Sequence, residues 1–211
     1  MRQPLSLNTY CGLCNRLRVI ASFSTICNKP FNIIWDVDEE CNGEFEEVFE
    51  LNEEYPILKT ADLTDDDLVI DNFVRSFKPF GPKHINKIFK PSKGVLERIK
   101  DMQLPKVYNA IHVRRNDNYG HRVMEFEEFE EFIAGSKHPV YLSCDEEGTK
   151  EHFTTKYPDK IITHNNFINN GLRKTDLIQA VADIWISVQA QEFMPNKGSS
   201  FSDFILTLRK K

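Results

Sequence analysis

The sequence predicts an α/β fold in which helices cover mostly parallel sheets. Three observations carry that expectation. The second half alternates strand-type and helix-type segments, the pattern of a sheet covered on both faces. The first half holds a helix-spaced run after Gly12 and two short strand-type runs. The 211 residues suffice for one sizeable core, or for two smaller ones sharing a cleft.

Leu13 to Cys27 spaces its apolar residues for a helix of about four turns. Phe31 to Trp35 reads as a short strand ending at Asp36. Residues 38–54 are acidic, with a helical patch around Phe45, Val48 and Phe49. Asp67 to Phe73 offers a second strand. Between 75 and 92 Pro, Gly and Lys mix, which marks the join between two halves and sets a division near residue 92. Ser92 then caps a short helix reaching Asp101. Val107 to Val113 is a buried-type strand. Residues 124–133 form a helix with Phe126, Phe129 and Ile133 on one face and glutamates largely on the other. Strands at Pro139–Ser143 and Lys160–Thr163 flank a helix over Asp145–Tyr157. A helix over Thr175–Val188 opens on Asp176. After the run Ala190–Met194, a glycine turn leads into a last helix.

Composition excludes several functions. Hydrophobic residues make up 40% and charged residues 28%, an ordinary folded composition. The net charge of −5 argues against a broad nucleic-acid surface, which needs a clustered positive field. No apolar run approaches the roughly 18 residues of a transmembrane helix. The opening MRQPLSLNTY lacks the apolar core of a signal peptide. Five scattered cysteines do not form a secreted disulfide framework. Cys11 and Cys14 have the spacing of a zinc knuckle, but no second close pair follows, so buried thiols are the expected state. A soluble, cytoplasmic protein without a metal is therefore expected.

In parallel α/β sheets, ligands sit beyond the carboxyl ends of the strands. There the sequence places His112, Arg114 and Arg115, followed by Asn116 and Asp117. Alternation points His112 and Arg114 to one face and Arg115 to the other. Arginine's planar fork suits a phosphate, so Arg114 is the candidate anion ligand and Arg115 the partner of a carboxylate such as Asp117. Asp145 and Glu146 follow the next strand, where they either cap a helix or accept from a nucleoside. Gly12 permits a close backbone approach, and Asn15 and Arg16 in the first turn can reach a cleft. Gly198-Ser-Ser-Phe-Ser202 joins a turn to a helix start, where Ser199 or Ser200 can cap and free N–H groups can hold an anion. With no metal-type carboxylates beside it, this helix end and Arg114 have to neutralise a diphosphate alone.

Taken together these blocks resemble the fucosyltransferase-like superfamily of GT-B glycosyltransferases, which contains α-1,6-, nodulation and protein O-fucosyltransferases. Gly12-Leu-Cys-Asn-Arg-Leu-Arg18 is similar to its opening GLGNRLR, and Ala110–Asp117 to its HVRRxD motif. Tyr141–Glu147, with Lys150 and Tyr157 downstream, resembles its third block. Thr175-Asp176 through Asp183 to Ser202 resembles its closing helix, strand and SxFS turn. CNGEFEEVF, 41–49, is similar to a segment at the donor-side edge in some members. The resemblance runs from residue 11 to 204 and marks a short member of the superfamily.

The resemblance implies two Rossmann-like halves with a cleft between them, the first half reduced. Residues 1–92 would form the acceptor side and 93–211 the nucleotide-sugar side. The implied donor is GDP-fucose or a related GDP-sugar, and the acceptor a glycan or glycoprotein. Arg114 would grip the β-phosphate, with Ser199, Ser200, Phe201 and Ser202 about the diphosphate. His112 and Asp145 would lie near the nucleoside, and Asp183 would be structural. Gly12, Asn15 and Arg16 would come from across the cleft. The family usually works without a metal. This chain departs from the α-1,6 enzymes after Asp117, where Asn118-Tyr-Gly-His-Arg122 replaces their lysine and later glutamate.

The expected activity is an inverting glycosyl transfer with Arg114 and a helix end stabilising the leaving group. Asp117 is the first candidate base, His121 the second, and residues 36–47 supply further carboxylates. A non-catalytic glycosyltransferase-like module that binds a glycan or a protein is the alternative. A sulfo- or phosphoryl-transfer enzyme using the same pocket is a third reading.

Overall fold

The computed structural model describes residues 5–72, 78–115, 124–164 and 175–210. Two four-stranded, all-parallel sheets with flanking helices make up the α/β architecture.

The first sheet has the order β3-β2-β1-β4, built from β1 (Ser6–Thr9), β2 (Asn32–Ile34), β3 (Ile57–Leu58) and β4 (Val69–Asn72). β1 lies at its centre, Ser6 pairing with Asn32 on one side and Val69 on the other. The sequence gives this strand no alternation because all four of its residues are buried, Ser6, Asn8 and Thr9 included. Asn32 Nδ2 donates to Ser6 Oγ at 3.1 Å, so the polar pair satisfies itself within the sheet.

Helix α1 (Leu13–Phe23) crosses from β1 to β2 and is a turn shorter than the apolar spacing predicts. It stops where Ser22, Ser24 and Thr25 turn their hydroxyls onto carbonyls three residues back. Helix α2 (Phe45–Val48) is the expected acidic patch reduced to one turn. Its Phe45 packs with Trp35, Phe49 and Phe89 at ring separations of 5.4, 5.1 and 6.3 Å. The Pro/Gly/Lys-rich join is not all linker: α3 (Pro82–Ile88) forms within it, with Pro82 in the first turn, where its missing N–H costs nothing. Helix α4 (Lys93–Asp101) follows, and Ser92 Oγ accepts from Val95 N at 3.3 Å as an N-cap.

The second sheet has the order β7-β6-β5-β8, from β5 (Asn109–Val113), β6 (Val140–Cys144), β7 (Ile161–Ile162) and β8 (Phe193–Met194). Helices α5 (Phe126–Gly135), α6 (Glu147–Lys156) and α7 (Leu177–Gln189) occupy the connections, and α8 (Ser200–Leu208) closes the described chain. Ile111, Val113, Phe129, Ile133, Leu142 and Phe153 pack on one face of this sheet.

Helix α7 locks the halves together. Val181, Ala182 and Ile184 join the core of the first sheet, whereas Ile186 packs with Tyr108, Ala110 and Tyr141 of the second. Phe204 and Ile205 of α8 also enter the first core. No helix among the described residues is long and apolar enough to cross a membrane.

Candidate functional site

Loops after β1 and β2 and the ends of β5 and β6 open into one cavity, the place where a parallel sheet presents its ligands. Gly12, Asn15, Glu40 and Asn42 line it from the first sheet's side. His112, Arg114 and Asp145 line it from the second, with Asp183 of α7 and Ser200 and Phe201 of α8. The cavity has a free volume of about 130 Å³ and gathers groups from both sheets on its walls.

β5 delivers two residues of different character. His112 is buried, its ring 4.6 Å from that of Phe201, and its Nδ1 lies 2.8 Å from Ser202 Oγ. Burial, reinforced by the nearby Arg114 guanidinium and opposed by Asp183, pushes the imidazole down to about 3. It is therefore a neutral group throughout the physiological range. Arg114, two residues on, is half-buried at the cavity wall, and Asn196 Oδ1 accepts from its backbone N–H at 3.2 Å.

The turn before α8 is made by Gly198, whose φ of 71° lies in the left-handed region that glycine adopts without strain. Ser199 holds the N-cap backbone position, but its hydroxyl makes no cap hydrogen bond, lies buried without a partner among the described residues, and does not line the cavity. Ser200 and Phe201 do line it. Ser202 sits beneath them: Asn196 N donates to its Oγ at 2.9 Å, and His112 contacts the same oxygen. The four residues expected to meet one ligand thus divide into a surface pair and a buried support.

Arg16 differs from expectation. It is 1% exposed and does not line the cavity. Its Nε donates to Cys11 O at 2.8 Å and one terminal nitrogen to Asp36 O at 2.6 Å. The other pairs with Asp38, and the guanidinium stacks over Trp35. A charge this buried needs a full set of acceptors, and the backbone of the two cleft loops supplies them. Arg16 therefore ties the loop after β1 to the loop after β2.

Arg115 turns away from Arg114, its guanidinium 4.1 Å from the Phe126 ring. Its backbone N–H donates to Asp145 Oδ1 at 2.9 Å. Asp145 is not the helix cap, a position held by Glu146. Asp117 and His121, the expected bases, lie outside the described residues, as does any pairing of Arg115 with Asp117.

Beneath the cavity Asp183 gathers a buried network. Its carboxylate accepts from Tyr141 Oη at 2.6 Å, Gln179 Nε2 at 2.7 Å and Ser143 Oγ at 2.8 Å. His164 Nε2 lies 3.7 Å away. Burial alone would raise this carboxyl, but the nearby His164 and the bonds from Tyr141 and Gln179 hold it below its ordinary value. Lys150 is buried beside it, its Nζ donating to His164 O at 2.9 Å, and desolvation lowers the ammonium to about 8 against the pull of Asp183.

Asn42 is a cavity residue that the sequence does not single out, and Glu40 falls among the carboxylates of residues 36–47 without being distinguished from its neighbours. An acidic, irregular loop carries no periodicity to show which of its carboxylates turns inward.

No family sequence model matches this chain, and no curated protein sequence matches it. Solved structures do. NodZ α-1,6-fucosyltransferase co-crystallised with GDP superposes with a TM-score of 0.71 at 13% identity, over 99% of this chain and 93% of that one. Fucosyltransferase NodZ from Bradyrhizobium gives a TM-score of 0.63 at 11% identity, over 97% and 92%. POFUT1 in complex with GDP gives 0.60 at 13% identity, over 98% and 94%. The chain has the GT-B-like, fucosyltransferase-like fold of these proteins.

Proposed function

We propose that this chain is an inverting glycosyltransferase that moves a sugar, fucose first among candidates, from a GDP-sugar to a hydroxyl of a glycan or glycoprotein. One observation carries the reading. Arg114 and the first turn of α8 meet Gly12 and Asn15 of the other sheet in a single cavity at the strands' carboxyl ends. That pairing of a fixed cation with a helix amino end suits the charge that develops on a departing diphosphate. The GDP and GDP-fucose complexes of the structural neighbours support the choice of donor.

In this reading Arg114 holds the β-phosphate, and the backbone about Ser200 and Phe201 holds the remaining diphosphate oxygens. Asp145 accepts from the nucleoside. His112 and Ser202 keep strand and helix in register beneath the donor, with Ser199 buried at the head of the helix. Gly12 and Asn15 close on the sugar from the first half. Residues 1–92 serve the acceptor side and 93–211 the nucleotide side. The reaction needs no metal, since Arg114 and α8 supply the positive charge. Five cysteines scattered without a disulfide framework favour a reducing, cytoplasmic compartment.

Calorimetry with GDP, UDP and ADP tests the reading. GDP is expected to bind roughly tenfold or more tightly than the other two, a difference of about 1.4 kcal/mol, with or without EDTA. Absence of GDP binding at millimolar concentration would sink it.

A further inference from the structure

The inversion proposed above needs a proton acceptor on the face of the sugar opposite the leaving phosphate. Among the described residues three carboxylates line the cavity: Glu40, Asp145 and Asp183. Asp183 is buried and already receives Tyr141, Ser143 and Gln179. Asp145 follows β6 on the same wall as Arg114 and takes the Arg115 N–H, so it stands on the donor side. Glu40 alone of the three comes from the first sheet's wall, across the cavity from Arg114 and the start of α8.

Its placement is built rather than incidental. Asp38 Oδ1 accepts from the backbone N–H of Glu40 at 2.8 Å and of Cys41 at 2.7 Å, and the other oxygen of Asp38 pairs with buried Arg16. The Glu40 carboxylate accepts from the thiol of Cys11, which occupies the left-handed region at φ 69°. A non-glycine residue held there stores strain, of the kind found where a side chain must be aimed. Arg16 holds both ends of this arrangement, since its Nε binds Cys11 O. The loop after β1 therefore orients the carboxylate carried by the loop after β2.

We infer that Glu40 is the general base of the transfer, with Cys11, Asp38 and Arg16 as its positioning residues. The acceptor oxygen bonds to the anomeric carbon as the anomeric carbon–phosphate oxygen bond breaks. GDP leaves with the bonding electron pair toward Arg114 and α8. The hydroxyl proton passes to the Glu40 carboxylate. The inference rests on the glycosyltransferase reading and adds the residue that activates the acceptor.

Hydrolysis of GDP-fucose, with water as acceptor, tests it without knowledge of the natural acceptor. Glu40→Gln is expected to retain GDP affinity and the thermal midpoint of the wild type while hydrolysis falls roughly 100-fold or more. In Glu40→Ala, sodium azide is expected to restore turnover as fucosyl azide of inverted configuration, because azide needs no base. A merely structural role for Glu40 predicts no such rescue. Asp117→Asn and His121→Gln serve as competitors, and each is expected to hydrolyse donor faster than Glu40→Gln. Wild-type hydrolysis left intact in Glu40→Gln, or lost equally in Asp117→Asn with azide rescue there instead, overturns the inference and leaves the donor reading standing. Wild-type protein that binds GDP but never releases fucose also overturns it. Failure to bind GDP at all removes the donor reading itself.

Discussion

Nδ1 of His112 lies 2.8 Å from Oγ of Ser202, which ties the end of β5 to the first turn of α8. The same hydroxyl receives the backbone N–H of Asn196, whose side-chain oxygen accepts from Arg114 N. One serine thus sets the distance between Arg114 and the amino end of α8. Replacing Ser202 by Ala leaves a buried imidazole and a buried N–H without their partner. We expect a stability loss of about 1–3 kcal/mol by denaturant titration. GDP affinity should fall as well, because strand and helix lose register. Unchanged affinity would detach the contact from the site.

Arg114 itself should be intolerant of conservative change. Arg114→Lys keeps the charge and loses the planar fork, and Arg114→Ala loses both. Turnover of GDP-fucose is expected to fall roughly 100- to 1,000-fold in the alanine variant with an unaltered circular dichroism spectrum. The lysine variant should recover only part of that loss. Near-wild-type turnover in either would remove Arg114 from the mechanism.

His112 makes stability depend on acid. Its folded value of about 3 lies below the ordinary 6.5, so the unfolded chain binds a proton that the folded chain refuses. The group's contribution is fully present above pH 6.5 and is lost as the pH falls from there toward 3. Urea midpoints measured across that window should drop with acidity, and more shallowly in His112→Gln. Parallel slopes for the two proteins would contradict the assignment.

Asp183 should be structural in its effect. Asp183→Asn removes the charge and replaces one of the two acceptor oxygens by an NH2, so either Tyr141 and Gln179 or Ser143 loses its acceptor. A destabilisation of roughly 3 kcal/mol is expected from breaking a buried charged network. It should appear in thermal and urea midpoints alike. A variant as stable as wild type would show that the network carries little of the fold.

The strands that repeat buried apolar residues were legible: Val107–Val113 contains β5, and Pro139–Ser143 overlaps β6, which ends one residue later at Cys144. The N-caps Ser92 and Asp176 were legible too, each accepting from the N–H three residues on. β1 was not, because a central strand of Ser, Leu, Asn and Thr has its polar atoms satisfied by neighbours far away in sequence. Arg16 was misjudged for a similar reason. Its first-turn position is visible in the sequence, whereas the carbonyls of Cys11 and Asp36 that absorb it are brought together only by folding.

By itself the sequence determined the alternation of strands and helices, the glycine turn at 198, and Arg114 at a strand's carboxyl end. These follow from local properties: side-chain periodicity, a backbone angle suited to glycine, and the rule that parallel strands present ligands at one edge. Only the tertiary structure decided which side chains share the cavity. It put Glu40 opposite Arg114, drew Arg16 and Ser202 under the surface, and let α7 pack on both sheets. Those outcomes depend on where two sheets meet and which buried polar groups find partners across them, and no local pattern encodes either.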